Sequence, residues 1–110
     1  PRHQITYGST GIVGAAVVND LDTVDVSGIG PAGSVTSGAV TKTAYAYATN
    51  DFVFTRDNLA VATDTLGAVP ISVNVARFGF ANGVPLNGHL RQFRFWNGRM
   101  SNTAVRELTL

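Results

Sequence analysis

Residues 42–56 read Lys42-Thr43-Ala44-Tyr45-Ala46-Tyr47-Ala48-Thr49-Asn50-Asp51-Phe52-Val53-Phe54-Thr55-Arg56, and their alternation decides the fold class. In an extended chain successive side chains point to opposite faces. Ala44, Ala46 and Ala48 therefore share one side of a strand, and Thr43, Tyr45 and Tyr47 the other. The thin alanine face predicts close packing by a second sheet, while the tyrosine face reads either as a second buried face or as an exposed amphipathic shelf. Asn50-Asp51 supplies turn residues, and Phe52 and Phe54 then share one face of a second strand. Asp57-Asn58 turns again into Leu59-Ala60-Val61-Ala62, which completes a short meander.

The flanking sequence keeps this character. Strands are expected around Ile5-Thr6-Tyr7, at Ile12–Val18 and around Val24-Asp25-Val26. Ile71, Val73 and Val75 share one phase and Phe78 and Phe80 the other, a slip that reads as a bulge or bend near Ala76-Arg77. In Arg91-Gln92-Phe93-Arg94-Phe95-Trp96, alternation puts Phe93 and Phe95 with Arg91 and puts Arg94 with Trp96 on the opposite face. Short strands with frequent turn signals predict an all-β antiparallel fold, a β-sandwich or a barrel. Only the end departs from it: Ser101 is a good N-cap, Met100 before it can pack on Val105, and Val105 and Leu108 lie three apart. A helix this short is marginal alone, so it must dock on the sheet through that face.

Composition agrees. The 110 residues suit one domain, residues 1–110, and the 45% apolar residues are mostly Ala and Val, with 12 Gly and few helix-surface residues. The net charge of +1 gives no global field for nucleic acid or an anionic membrane. Its distribution is uneven: residues 1–64 hold three basic and six acidic side chains, and residues 65–110 five basic and one acidic. Arg91, Arg94, Arg99 and Arg106 cluster near the end with Trp96, the one tryptophan, which strand alternation plus a helix end largely accounts for. With no Cys there is no disulfide scaffold, thiolate metal site or Cys nucleophile. No run approaches the roughly 18 apolar residues of a membrane span.

Several patterns that suggest chemistry lack its physical requirements. Gly28-Ile29-Gly30-Pro31-Ala32-Gly33 matches G-x-G-x-x-G, yet Ser34-Val35-Thr36-Ser37-Gly38 follows where a phosphate-binding helix is needed, so it reads as a turn. Asp20, Asp22 and Asp25 gather oxygen ligands that a hard cation such as calcium could use, without the glycine and distal glutamate of a helix-loop-helix calcium site. A solvated loop is the simpler reading of them. The one Glu, Glu107, falls in the terminal helix, and beyond this aspartate loop the sequence places no Asp pair for glycoside hydrolysis. His3 and His89 are too few for a zinc site without Cys and read as surface residues. No G-x-S-x-G elbow is present. These absences argue for a non-catalytic protein without a cofactor.

From Thr41 to Leu110 the chain resembles the end of concanavalin A-like, laminin G-like jelly-roll domains of bacteriophage tail and virion proteins. The resemblance rests on TKTAYAYATNDFVFTRDNLAVATD, on ARFGF and on PLNGHLRQFRFWNGRMSNTAVRELT, with Gly88, the Arg91–Trp96 stretch, Arg99 and Ser101–Leu108 in the places of that family's closing glycine, basic aromatic strand, Arg-containing link and Ser-capped helix. Residues 1–40 match more loosely, through Arg2–Tyr7 and the glycine-rich turns. Such domains run well beyond this length, so the resemblance implies the C-terminal part of a longer chain, with a sheet edge covered by another segment or a neighbouring subunit. It also implies a virion location and a non-catalytic module that binds host-surface carbohydrate, with Trp96, Arg94, Tyr45 and Tyr47 as contacts. Partners would be host glycan, other virion subunits and further copies of the chain, without nucleic acid or membrane insertion. The alternative is a purely structural decoration or assembly protein that binds no glycan.

Overall fold

In a computed structural model the chain is described at residues 2–7, 13–18, 24–31, 33, 35–36, 38–78, 80–81, 84–85 and 88–110. Its regular structure there is strand, apart from one short helix. Strands β1 (Arg2–Tyr7), β2 (Val13–Val18) and β3 (Val24–Ile29) form one antiparallel sheet in that order. Strands β4 (Thr43–Ala48), β5 (Asp51–Arg56) and β6 (Ala62–Asp64) form a second, and β7 (Phe80–Ala81) with β8 (Val84–Pro85) a two-stranded ribbon. The expected meander is present, with β6 starting later than Leu59.

Two turns set its register. Ala48 pairs with Asp51, so Thr49 and Asn50 make the first turn and Asp51 opens β5 instead of turning. Asn50 takes φ 56°, which a short polar side chain tolerates, and its amide side chain accepts from Gly67 N at 3.0 Å while Asn50 N donates to Gly67 O at 2.8 Å. At the other end of β5, Asp57 and Asn58 both have positive φ (47° and 59°) and Leu59 N donates to Arg56 O at 2.9 Å. That is a type I′ turn, whose twist matches the strands it joins. Asp57 also anchors β4: its carboxylate accepts from Lys42 N and its N–H donates to Lys42 O, both at 2.9 Å.

Strand alternation then distributes the core. Phe52 and Phe54 project with Tyr45 and Tyr47 from one face of the second sheet, and Val53 projects with Ala44 and Ala46 from the other. Phe52, Val53, Phe54 and Thr55 are fully buried, and each large apolar side chain so removed from water contributes about 1.5–3 kcal/mol. Ile29 of β3 packs on Phe52 and Phe54, with Val35 and Val69 beside it, so the first sheet supplies part of the cover of the aromatic face. The alanine face is covered differently from the sequence expectation. Helix α1 (Asn102–Glu107) lies there, with Val105 and Met100 against Ala44, Ala46 and Val53. Alanine leaves room for a helix as well as for a sheet, and here the helix takes it.

The helix is tied down at both ends. Ser101 Oγ accepts from Ala104 N at 3.2 Å, the expected N-cap, and Met100 closes over the same apolar cluster. At the C-terminal end Thr109 Oγ1 donates to Arg106 O (2.8 Å) and accepts from Asn58 N (2.8 Å), while Arg106 Nε donates to Asn58 O at 3.0 Å. Helix and type I′ turn are thus clasped through both backbone groups of Asn58. Thr109 is buried, whereas Leu108, expected beside Val105, is 41% exposed. The chain's last carbonyl, Leu110 O, accepts from Lys42 Nζ.

Two expected strands are not formed. Residues 71–78 and 88–100 carry no strand, and Ile71, Val75, Phe78, Leu90, Phe93 and Phe95 are exposed. Side-chain alternation prepares a segment for a sheet, but a strand exists only where an edge accepts its backbone hydrogen bonds. The bend expected at Ala76-Arg77 accordingly lies outside any strand.

Candidate functional site

The four residues expected to contact a glycan occupy two environments. Tyr45 and Tyr47 stand two apart on β4, half-buried, and His3 of β1 is set against both. The His3 ring stacks on Tyr47 with centroids 3.9 Å apart and planes 23° from parallel, and lies 5.9 Å from Tyr45. The tyrosine rings are themselves 5.3 Å apart. His3 Nδ1 and the Tyr45 hydroxyl are hydrogen-bonded at 3.1 Å. His3 is therefore not the surface residue its sequence context suggested, and the tyrosines adopt the buried-face reading more than the exposed-shelf one.

Electrostatics of this cluster follow from burial. His3 Nε2 is buried without a hydrogen-bond partner, so a second ring proton would have no acceptor, and desolvation holds the His3 pKa below its ordinary value. Burial, reinforced by the neighbouring Tyr47 phenol, raises the Tyr45 pKa well above the usual tyrosine range. Both groups thus stay neutral around pH 7. The cluster is a neutral, stacked joint between the two sheets, able to pack and to hydrogen-bond but poorly equipped for proton transfer.

Arg94 and Trp96 lie elsewhere, in the exposed segment before the helix. Trp96 is 42% exposed, and among the described residues its ring meets no other aromatic ring. Arg94 is exposed, and with the Gln92 amide turned to satisfy both groups, Gln92 Oε1 accepts from Arg94 Nη2 and Nε at 3.0 and 3.1 Å. This contact braces the guanidinium and leaves its far edge open. Phe78 and Phe93 meet edge to face at 4.7 Å, which holds the 71–78 segment beside the 90–96 segment. The surface so formed carries aromatic rings and guanidinium groups together.

Two further arginines turn out to be structural. Arg99 Nη2 donates to Asp51 Oδ1 at 2.8 Å and to Asn102 Oδ1 at 2.7 Å, and Nη1 donates to Met100 O. It fastens the helix entrance to the start of β5. Arg56, 5% exposed, follows Phe52 and Phe54 on the same face; it lies 3.7 Å from Asp57 Oδ2, and a Cβ at Gly33 would stand 3.4 Å from its Nη2. Gly33, at φ 90°, also needs the conformational freedom of glycine. Alternation in phase with two buried phenylalanines is the signal that could have marked Arg56 as an inward-pointing residue.

No family model, curated protein or solved structure matches the chain. Among the described residues no three His, Asp or Glu side chains are grouped to hold a metal ion. Of the calcium candidates, Asp20 and Asp22 lie outside the described residues, and Asp25 is on β3. The described residues just after Gly33, 35–36 and 38–42, are not helical, and the glycine pattern at 28–33 is followed by a turn closed by Ala39 N to Thr36 O at 3.2 Å with Gly38 at φ 83°. No described helix is long and apolar enough to cross a membrane.

Proposed function

We propose that the protein is a non-catalytic carbohydrate-binding module of a bacteriophage virion, built as a concanavalin A-like jelly roll whose two sheets stack as a sandwich, and that it contacts host-surface glycan. The observation that carries this reading is that one exposed segment holds both an indole, Trp96, and a braced guanidinium, Arg94, two residues apart and among other exposed rings. A flat aromatic face stacks on the C–H face of a sugar, and a guanidinium with free N–H groups satisfies ring hydroxyls or carboxylates beside it. Trp96 and Arg94 are the direct contacts in this proposal. Tyr45 and Tyr47, which with His3 join the sheets, support the site's scaffold and offer at most an edge to ligand.

A glycan array probed with the full chain tests the reading. Binding to a defined set of glycans, lost in Trp96→Ala while the thermal unfolding midpoint is kept, is the expected result; absence of binding to any surface polysaccharide refutes it.

A second reading is an assembly or decoration protein with no glycan ligand. The exposed apolar side chains Ile71 (93%), Val75 (64%) and Phe95 (73%) favour association with other virion subunits or further copies of the chain. Light scattering of the purified protein together with the array separates the two: oligomers with a silent array belong to the second.

A further inference from the structure

Between Asp64 and Glu107 the chain contains no carboxylate side chain, although this span carries Arg77, Arg91, Arg94, Arg99 and Arg106. Two of the five are accounted for within the fold: Arg99 by Asp51 and Asn102, and Arg106 by the Asn58 carbonyl. The other three are exposed, and among the described residues no carboxylate pairs with them. The two segments that carry them are adjacent. The Phe78–Phe93 ring contact brings the segment containing Arg77 alongside the one containing Arg91 and Arg94, and the Gln92 side chain orients the Arg94 guanidinium. Trp96 stands on the same segment, two residues on.

We infer that the ligand of this surface is an anionic polysaccharide, one bearing carboxylate, sulfate or phosphate groups along its chain. The inference rests on the carbohydrate reading above and narrows it. A neutral glycan needs hydroxyl partners that both accept and donate, and these are commonly supplied by Asp, Asn or Glu carboxylates and amides; a span free of carboxylates and holding three guanidinium groups without a carboxylate partner is weighted toward donors, its side-chain acceptors being neutral amides and hydroxyls such as that of Asn97. Such a surface repels nothing anionic and offers a neutral sugar no charge-assisted acceptor. Guanidinium groups meet planar carboxylates, or tetrahedral sulfate and phosphate, with paired N–H donors, and exposed apolar rings between them take up the faces of the sugar rings. Net charge is only +1, so the attraction is local to this surface.

The test is a binding titration of the full chain against four probes: a neutral glucan, a uronate-containing polysaccharide, a sulfated one, and a single-stranded oligonucleotide of similar length and charge. The uronate or sulfated polymer is expected to bind, and the arm that binds more tightly identifies the acid group. Arg94→Gln and Arg91→Gln should each weaken binding about tenfold, the loss of one charge-assisted contact. Raising the salt from about 0.1 M to about 1 M shortens the screening length from about 10 Å to about 3 Å and should weaken it further. Binding of the neutral glucan, indifferent to salt and to Arg94→Gln, overturns the inference and leaves the carbohydrate reading standing. Oligonucleotide binding as tight as that of the acidic polysaccharide also overturns it, since the surface would then read charge alone. Silence with all probes removes both readings. Unfolding midpoints of the variants equal to wild type keep any loss attributable to contact.

Discussion

Val105→Ala tests whether the terminal helix is held by the alanine face of β4. Val105 is 1% exposed and packs on Ala44, Ala46 and Val53, with Met100 and Val61 around it. The substitution removes two buried carbons, about 0.8 kcal/mol each in transfer, and the sheet beneath cannot close the gap, which brings the cost to about 2–3 kcal/mol. Leu108, larger and on the same stripe by sequence spacing, is 41% exposed. Leu108→Ala should therefore cost under about 1 kcal/mol despite deleting more carbon. Urea unfolding followed by circular dichroism measures both, with unchanged slopes showing that the midpoints report stability. For a domain of this size the Val105→Ala loss corresponds to a drop in melting temperature on the order of 10 °C. Equal costs, or a larger one for Leu108→Ala, would refute the docking geometry.

Thr109→Val keeps the shape but removes the hydroxyl that accepts from Asn58 N; a loss of about 1–2 kcal/mol is expected, with Thr109→Ser closer to wild type, and equal behaviour of Ser and Val contradicts the clasp. Arg99→Lys gives up the fork that spans Asp51, Asn102 and Met100 O, which should cost about 1 kcal/mol given how open Asp51 is to solvent, whereas a neutral outcome in urea unfolding means the fork is incidental. His3 titrates below its ordinary value when folded, so its contribution to stability is full above the unfolded value of about 6.5 and falls away as acid takes the pH down through 6.5 toward the folded value. Wild type should lose stability as the pH falls through about 6.5 and below, and His3→Phe, which can still stack on Tyr47, should lose less; the same fall in both assigns it to other groups.

The legible parts of the fold were the local ones. Alternation over residues 42–56 identifies the faces of β4 and β5 because the two-residue turn at Thr49-Asn50 pairs the two strands directly with each other. Ser101 and Met100 mark the helix start because caps act within one turn. Its burial was half legible: positions three and four beyond Val105 flank the same stripe, and the clasp on Asn58 selects the fourth, Thr109. Residues 71–75 and 91–96 have the pattern of strands, but pattern carries no information on whether a free edge is near. The His3–Tyr45 bond joins residues 42 apart in sequence, and nothing local announces it. For the proposed site, the chemistry of Arg94 and Trp96 was readable, while the exposure of their segment and the half-burial of Tyr45 and Tyr47 against His3 are set by contacts distant in sequence.

Trp96 is the single tryptophan, so its fluorescence reports the proposed contact without labels. Titration with an acidic polysaccharide that binds the protein should produce a saturable change in emission and protect the indole from a soluble quencher. Binding of that polysaccharide with Trp96 emission and quenching unaltered would contradict the account.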